Sequence, residues 1–157
     1  MNKYALVCLS TVLSLIAPCA GAQAPQKNAA SEDGKAAVEH VLRIQQEAWN
    51  RHDLEGFMAG YWNSPELTFF SGAKATSGWQ ATLDRYRTTY ASPGHEMGKL
   101  DFSDLRIEML GADAAFVRGS WLLTLSDGKT PHGRFTLVFR RFPEGWKIVH
   151  DHTSAAE

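Results

Sequence analysis

Three consecutive residues near the end of the chain, His150, Asp151 and His152, carry the side chains best suited to acid–base or metal chemistry. Side chains alternate between the two faces of a β-strand, so the histidines share one face and Asp151 lies on the other. A carboxyl group in a pocket can act as a general base, with its pKa raised by burial or lowered by a nearby cation. Asp151 is therefore the candidate catalytic residue, and a buried structural aspartate is the alternative interpretation.

The same three residues are the nearest approach to a metal motif. Two histidines on one strand face lie about 7 Å apart, and a zinc site needs at least a third protein ligand. Only His95, Glu96 or His132 could supply that ligand, from loops. We therefore predict no metal and no cofactor, with the two histidines hydrogen-bonded at an interface on the sheet.

Aromatic residues in the first half of the chain and polar residues on the later strands are the candidate ligand-binding side chains. Tyr61 and Trp62 follow a short predicted helix and are expected at the mouth of a pocket, where Tyr86 could offer its hydroxyl to a ligand oxygen. An aromatic pocket with a few polar groups suits a small, flat organic ligand. The complete candidate set is Tyr61, Trp62, Phe70, Tyr86, Trp121, Arg134, Thr136 and Thr153.

Residues 1–22 are typical of a secretory signal peptide, which we expect to be cut after Ala22. Lys3 precedes an apolar run, Pro18 breaks that run, and Ala20-Gly21-Ala22 forms a small-x-small cleavage site. The run is shorter than the roughly 20 apolar residues that cross a bilayer. We therefore expect a periplasmic or secreted protein without a membrane attachment after cleavage, and an uncleaved anchor is the alternative.

The composition narrows the class of partner. Both cysteines, Cys8 and Cys19, lie in the signal peptide, so the mature chain has no thiol for a disulfide, a nucleophile or a metal ligand. The formal net charge of −1 gives no basic excess of the kind that binds nucleic acid or anionic lipid. The expected partner is a small organic molecule.

Hydrophobic periodicity predicts helices first and strands later, after a flexible, polar tether at 23–33. Helices are expected at 34–51, 53–61 and 79–90, with one strand at 67–70. From Leu100 onward the pattern is that of four strands, separated by turns at 111–113, 127–128 and 143–144. This segregation predicts one α+β domain at 34–154.

The last two turns give an estimate of strand register. If each is a two-residue loop, Trp121 faces Arg134 and Thr136 faces Asp151, and the strands divide into two faces. The first face holds Val117, Gly119, Trp121, Arg134, Thr136, Val138, Val149, Asp151 and Thr153. The second face holds Phe116, Arg118, Ser120, Leu122, Phe135, Leu137, Phe139, Trp146, Ile148, His150 and His152. A single β-bulge would exchange part of this assignment.

Both predicted faces are too apolar to face water. The helices can cover one face, and the other, with Phe135, Leu137 and Phe139, needs a second cover. A homodimer formed through this outer sheet face would bury it. The alternative is that the third helix or the tether covers it.

Four stretches resemble the nuclear transport factor 2-like superfamily, in its SnoaL-like and calcium-calmodulin-dependent kinase II association-domain-like branch. They are the helix end at 48–54, Gly111-Ala112-Asp113-Ala114-Ala115, Phe139-Arg140-Arg141, and the terminal string at 145–154. The resemblance implies a cone-shaped fold, in which a curved, mostly antiparallel sheet wraps around three helices and encloses a conical cavity. It also implies dimers through the outer sheet face.

The resemblance carries over only part of the known chemistry. Arginines of the kinase association domain bind small carboxylates in the cavity, and the matching positions here carry Trp121, Thr136 and Thr153, with Arg134 as a partial replacement. Ketosteroid isomerases of the superfamily use a pocket aspartate on a different strand, so that role does not transfer to Asp151.

Three functions are compatible with these features. The first is an exported module that binds a small apolar or carboxylated molecule in an aromatic pocket. The second is a cofactor-free isomerase, cyclase or dehydratase, with Asp151 as base and Tyr86 or Arg134 polarising a carbonyl. The third is a non-catalytic dimeric assembly domain. Because an enzyme needs an acid–base pair and the sequence offers one pocket carboxylate, we favour the binding module.

Overall fold

Three helices precede most of a six-stranded sheet. In the computed structural model, which describes residues 26–156, the helices are α1 (Gln26–Asn50), α2 (Leu54–Met58) and α3 (Trp79–Tyr90). The strands are β1 (Thr68–Ser71), β2 (Lys74–Ser77), β3 (Lys99–Met109), β4 (Ala114–Thr124), β5 (His132–Phe142) and β6 (Gly145–Ala155). Their order is β2-β1-β6-β5-β4-β3, with β1 and β6 parallel and the other neighbours antiparallel. The prediction of an α+β fold, with a curved sheet around N-terminal helices, is confirmed.

Two segments were predicted at the N-terminus, a signal peptide at 1–22 and a flexible tether at 23–33. The predicted signal peptide lies outside the described residues, so export stays a prediction. Helix α1 begins at Gln26, so residues 26–33 of the predicted tether are helical. Among the described helices, none is long and apolar enough to cross a membrane.

Side chains of α1 hold the helices and the first long strand together. Gln45 is buried and its amide donates to the Phe57 carbonyl at 2.9 Å, which ties α1 to α2. The Asn50 side chain bonds both backbone groups of Leu100, at 3.0 and 2.7 Å. Helix α2 itself begins at the predicted N-cap, where the Asp53 side chain accepts from the Gly56 N–H.

The predicted register between β4 and β5 is wrong by one residue. The Leu125 N–H donates to the Lys129 carbonyl at 2.9 Å, so the loop contains three residues, 126–128, and not two. Trp121 consequently pairs with Gly133. Because side chains alternate, this slip exchanges the faces of β5. Phe135, Leu137 and Phe139 are buried in the core, whereas Arg134, Thr136 and Val138 lie on the outer face.

A β-bulge in β6 reverses the alternation of side chains from His150 onward, so that Asp151 faces the core side of the sheet. Phe139 pairs with Ile148 and Val138 pairs with His150, so Val149 is an extra residue in the ladder. Trp146 and Ile148 therefore point into the core, contrary to prediction. Asp151 and Thr153 also face inward, as predicted, because the bulge has shifted the alternation by one residue.

The corrected faces remove the reason for which we predicted a dimer. Phe135, Leu137, Phe139 and Ile148 were expected to need a partner, and each is buried within one chain. The outer face instead carries Arg106, Arg118, Arg134 and His152 around a shallow depression. Homodimerisation stays a prediction that rests on the family resemblance.

Candidate functional site

A cavity of about 190 Å³ lies between the three helices and the inner face of the sheet. Helix α1 contributes Trp49, α2 contributes Phe57, and α3 contributes Tyr86 and Tyr90. The sheet side includes Phe69, Trp121, Phe135, Ile148, Asp151 and Thr153. Its volume is below the roughly 300–1,000 Å³ of drug-binding pockets and above the about 150 Å³ that holds benzene. The cavity therefore suits a molecule with one or two rings.

The aromatic wall of the cavity is a connected set of rings. Trp49 meets Phe57 edge-on with centroids 5.1 Å apart, and Phe57 meets Tyr86 at 5.3 Å. Tyr86 in turn lies 5.4 Å from Phe69. The Trp49 indole N–H donates to the Met97 carbonyl at 3.1 Å, which fixes the ring. Such edge-to-face contacts favour a rigid, preformed surface for a flat apolar ligand.

Asp151 is the polar centre of this apolar cavity and is only 5% exposed. Its Oδ2 accepts a hydrogen bond from the Tyr61 hydroxyl at 2.7 Å. Its Oδ1 is buried and has no hydrogen-bond partner among the described residues. A buried polar atom is normally paired, so the unpaired Oδ1 is an exception that requires an explanation.

The backbone beside β6 positions Tyr61 for this bond. The Ile148 N–H donates to the Gly60 carbonyl and the Trp62 N–H donates to the Ile148 carbonyl, each at 2.9 Å. Tyr61 thus forms a parallel bridge with Ile148. This short pairing sets the phenol next to the carboxyl group three residues further along β6.

Burial dominates the titration of these groups. It raises the pKa of Asp151 from 3.8 to about 7, and the hydrogen bond from Tyr61 offsets part of that rise. Burial, followed by the charge of Asp151, also raises the pKa values of Tyr61 and Tyr86 well above the usual range. Both phenols are therefore neutral donors near pH 7, where Asp151 is close to half-ionised.

Five of the residues selected from the sequence lie around the cavity. They are the candidate base Asp151 and the candidate ligand-binding residues Tyr61, Tyr86, Trp121 and Thr153. Their roles toward a ligand stay predictions.

The other four candidates lie elsewhere, which corrects the prediction. Arg134 and Thr136 lie on the outer face because of the register slip. Trp62 stacks on Phe142 with centroids 5.5 Å apart. Phe70 packs against the rings of His150 and His152, also outside the cavity.

Arg85, Phe69 and Gln45 also line the cavity, and they were not among the site residues predicted from the sequence. Phe69 replaces Phe70 because β1 presents the opposite alternate residue. Arg85 is the residue before Tyr86 in α3. Arg85 and Thr89 are four residues apart and lie on one stripe of the helix, next to the stripe that carries Tyr86 and Tyr90. That helical spacing was the available signal for Arg85.

The two histidines beside Asp151 contact protein side chains outside the cavity. His150 Nδ1 is hydrogen-bonded with the Thr68 hydroxyl at 2.6 Å, across neighbouring strands. Burial, with a smaller effect of His152, lowers the pKa of His150. Within residues 26–156, no three potential ligands come together in a geometry that could hold a metal ion.

The fold and its enclosed cavity define a class, the α+β domains known as cystatin-like or nuclear transport factor 2-like. Residues 38–157 match the SnoaL-like domain, and this chain belongs to that family, as the sequence resemblance indicated. A solved protein of unknown function from Shewanella oneidensis MR-1, also described as nuclear transport factor 2-like, is 38% identical. The match covers 76% of this chain and 98% of that one, with a TM-score of 0.70.

More distant structures share the fold. A cystatin-like fold protein from Burkholderia xenovorans LB400 is 25% identical over 78% of this chain and 92% of that chain, with a TM-score of 0.62. A ketosteroid isomerase-like protein from Erwinia carotovora atroseptica SCRI1043 is 19% identical over 78% and 95%, with a TM-score of 0.62. At that identity the second likeness concerns the fold alone. No match was found among the curated proteins.

The raised pKa of Asp151 predicts a specific dependence of stability on pH. Between pH 3.8 and about 7 the folded protein keeps a proton that the unfolded chain has released. The contribution to stability is therefore fully present below about pH 4, falls as pH rises, and is lost above about pH 7. The total change is up to about 4 kcal/mol.

Asp151→Asn removes this titration while keeping the shape of the neutral acid. Compared with the wild type, we expect the smallest change in unfolding free energy at about pH 4, an intermediate gain at about pH 5.5 and the largest gain at about pH 8, measured by urea denaturation. Asp101→Asn, at an exposed carboxylate on β3, is the control and should show no such trend. A difference between Asp151→Asn and wild type that is constant with pH would contradict a raised pKa.

Proposed function

We propose that this domain is an exported small-molecule-binding module whose cavity takes a compact, mostly apolar ring compound. The observation that carries the proposal is the unpartnered Oδ1 of Asp151 inside a rigid aromatic cavity. Leaving a buried acceptor unpaired costs about 1–3 kcal/mol, which a ligand donor at that atom would recover. The fold of the SnoaL-like family supports an enclosed ligand site of this kind.

Phenol is the simplest probe of this proposal, because it combines one ring with one hydrogen-bond donor. We expect millimolar phenol to raise the unfolding temperature of the wild type, since a ligand that binds the folded state stabilises it. Thr153→Phe should fill part of the cavity and remove the shift, measured by differential scanning fluorimetry and confirmed by calorimetric titration.

Ser154→Phe is the matched control, because Ser154 is the next residue of β6 and lies on the outer face. It should keep the response to phenol. An equal response in the two variants would place phenol outside the cavity, and the absence of any response in the wild type would overturn the proposal.

A proton-transfer enzyme is the second candidate, and the titration of Asp151 favours it. A general base works best when its pKa lies near the operating pH, and that of Asp151 lies at about 7. In such a reaction the Asp151 carboxylate removes a proton from a carbon next to a carbonyl, and the electron pair moves to the carbonyl oxygen. The Tyr86 hydroxyl donates a hydrogen bond to that oxygen, and return of the proton to carbon completes the exchange or isomerisation.

Phenylacetone in D₂O tests this chemistry without knowledge of the natural substrate. We expect the wild type to exchange the protons next to the carbonyl faster than buffer, followed by proton NMR. Asp151→Asn should lower the catalysed rate by about 10²–10⁴-fold, because it removes the base. Asp101→Asn should keep the rate. Equal exchange with wild type and Asp151→Asn would exclude Asp151 as the base and leave a binding role.

A further inference from the structure

Arg85 brings a positive charge to the wall of the cavity. It lies on α3, is half-buried, and shares the wall with the hydroxyl-bearing residues Ser71 and Thr89. Asp151 is almost completely buried, so the two charged positions differ in depth. Burial raises the pKa values of Tyr86 and Tyr90, and the charge of Arg85 offsets part of each rise, whereas the pKa of Asp151 responds to burial and to Tyr61. The guanidinium therefore belongs to the half-buried part of the cavity beside these two tyrosines.

Two contacts hold the Arg85 guanidinium in place. Its Nη1 donates to the Thr76 hydroxyl at 3.1 Å, and its Cζ lies 5.1 Å from the centre of the Phe69 ring. A guanidinium has five N–H donors in a rigid fork, so one bond to Thr76 leaves donors for a ligand. Stacking and a fixed hydrogen bond together reduce the entropy that ligand binding would cost.

The acids near Arg85 in the sequence are engaged by other residues. Asp84 bonds to Arg87 at 3.2 Å and to Gln80 at 3.0 Å, and Glu55 also bonds to Arg87. Over the part of the chain that the structure describes, no acidic side chain lies within salt-bridge distance of Arg85. A half-buried cation without a counter-ion is costly, and an anionic ligand would supply that counter-ion.

We propose that Arg85 is the anion-binding group of the cavity and that the ligand is a small carboxylate with a one- or two-ring apolar body. This inference rests on the cavity being a ligand site, as proposed above. A carboxylate matches the guanidinium fork in two parallel hydrogen bonds, and Ser71 and Thr89 add hydroxyl groups to the cavity lining. The ring of the ligand then lies against Phe69 and Tyr86.

Benzoate and benzamide have nearly the same shape, but only benzoate is charged. Comparing them therefore separates the effect of the negative charge from that of the ring. Calorimetric titration below about pH 7 keeps the Asp151 carboxyl mainly neutral, so it does not repel benzoate. We expect Arg85→Gln to weaken benzoate binding by about tenfold or more, as loss of a charge-assisted bond does. Benzamide binding should change little, which also verifies that the variant keeps an intact cavity.

Arg87→Gln is the control, because Arg87 lies on the same helix and is exposed, away from the cavity lining. It should bind both probes as the wild type does. Arg85→Lys should bind benzoate with intermediate affinity, since lysine keeps the charge and loses the fork. If benzamide binds but Arg85→Gln keeps wild-type affinity for benzoate, the role of Arg85 is wrong and the cavity function stands. If neither probe binds the wild type but phenol does, the carboxylate inference is wrong and the cavity still binds a ring compound; if phenol does not bind either, both proposals are wrong.

Discussion

The β-bulge at Val149 decides which residues of β6 enter the cavity. Ile148 points into the core, and strict alternation from there would send His150 inward and Asp151 outward. The extra residue resets the alternation, so Asp151 faces the cavity and both histidines lie outside. Since β6 also pairs with β1 and with the segment around Tyr61, the same bulge aligns the carboxyl group with its phenol donor. Bulges are frequent next to functional sites for this reason, because they re-aim single side chains.

The chemistry of the cavity follows from placing one carboxyl group among aromatic rings. Burial without a cationic partner favours the neutral acid, which accounts for the pKa near 7. The bond from Tyr61 satisfies one oxygen of Asp151, and the other oxygen has no protein partner. A fully satisfied aspartate would be a structural element alone. An aspartate with one free oxygen inside a ligand-sized cavity can bind a donor or move a proton.

The sequence predicted the architecture well because it depends on patterns spread over many residues. Periodicity separated helices from strands, the N-cap at Asp53 marked the start of α2, and the terminal string at 145–154 indicated the family. The facing of the strands depends on single residues and was partly wrong. One additional residue in the 126–128 loop places Phe135 on the inner face and Arg134 on the outer face, the reverse of the prediction. The bulge at Val149 cannot be recognised from the residue types around it.

The residues that line the cavity were predicted from the sequence only in part. Asp151, Tyr61 and Tyr86 were selected by residue type. Asp151 faces inward as predicted because the register slip of β5 and the bulge in β6 each reverse its facing and therefore cancel. Arg85 was missed because its helical spacing places it beside the Tyr86 stripe of α3 without showing that this neighbour of the apolar face lines the cavity. Phe70 was selected in place of Phe69 because a four-residue strand gives too short a pattern to assign its faces.

The titration of the Asp151 side chain shows whether the cavity holds a buried, half-ionised acid at neutral pH. Carbon-13 NMR of the labelled protein can follow the carboxyl carbon of Asp151 as a function of pH, with Asp151→Asn assigning the signal. The buried site predicts a midpoint near 7, well above the ordinary value of 3.8 for an aspartate. A midpoint of Asp151 near 4 would mean that the carboxyl group is solvated or paired, and it would contradict the buried, half-ionised acid on which the proposed site rests.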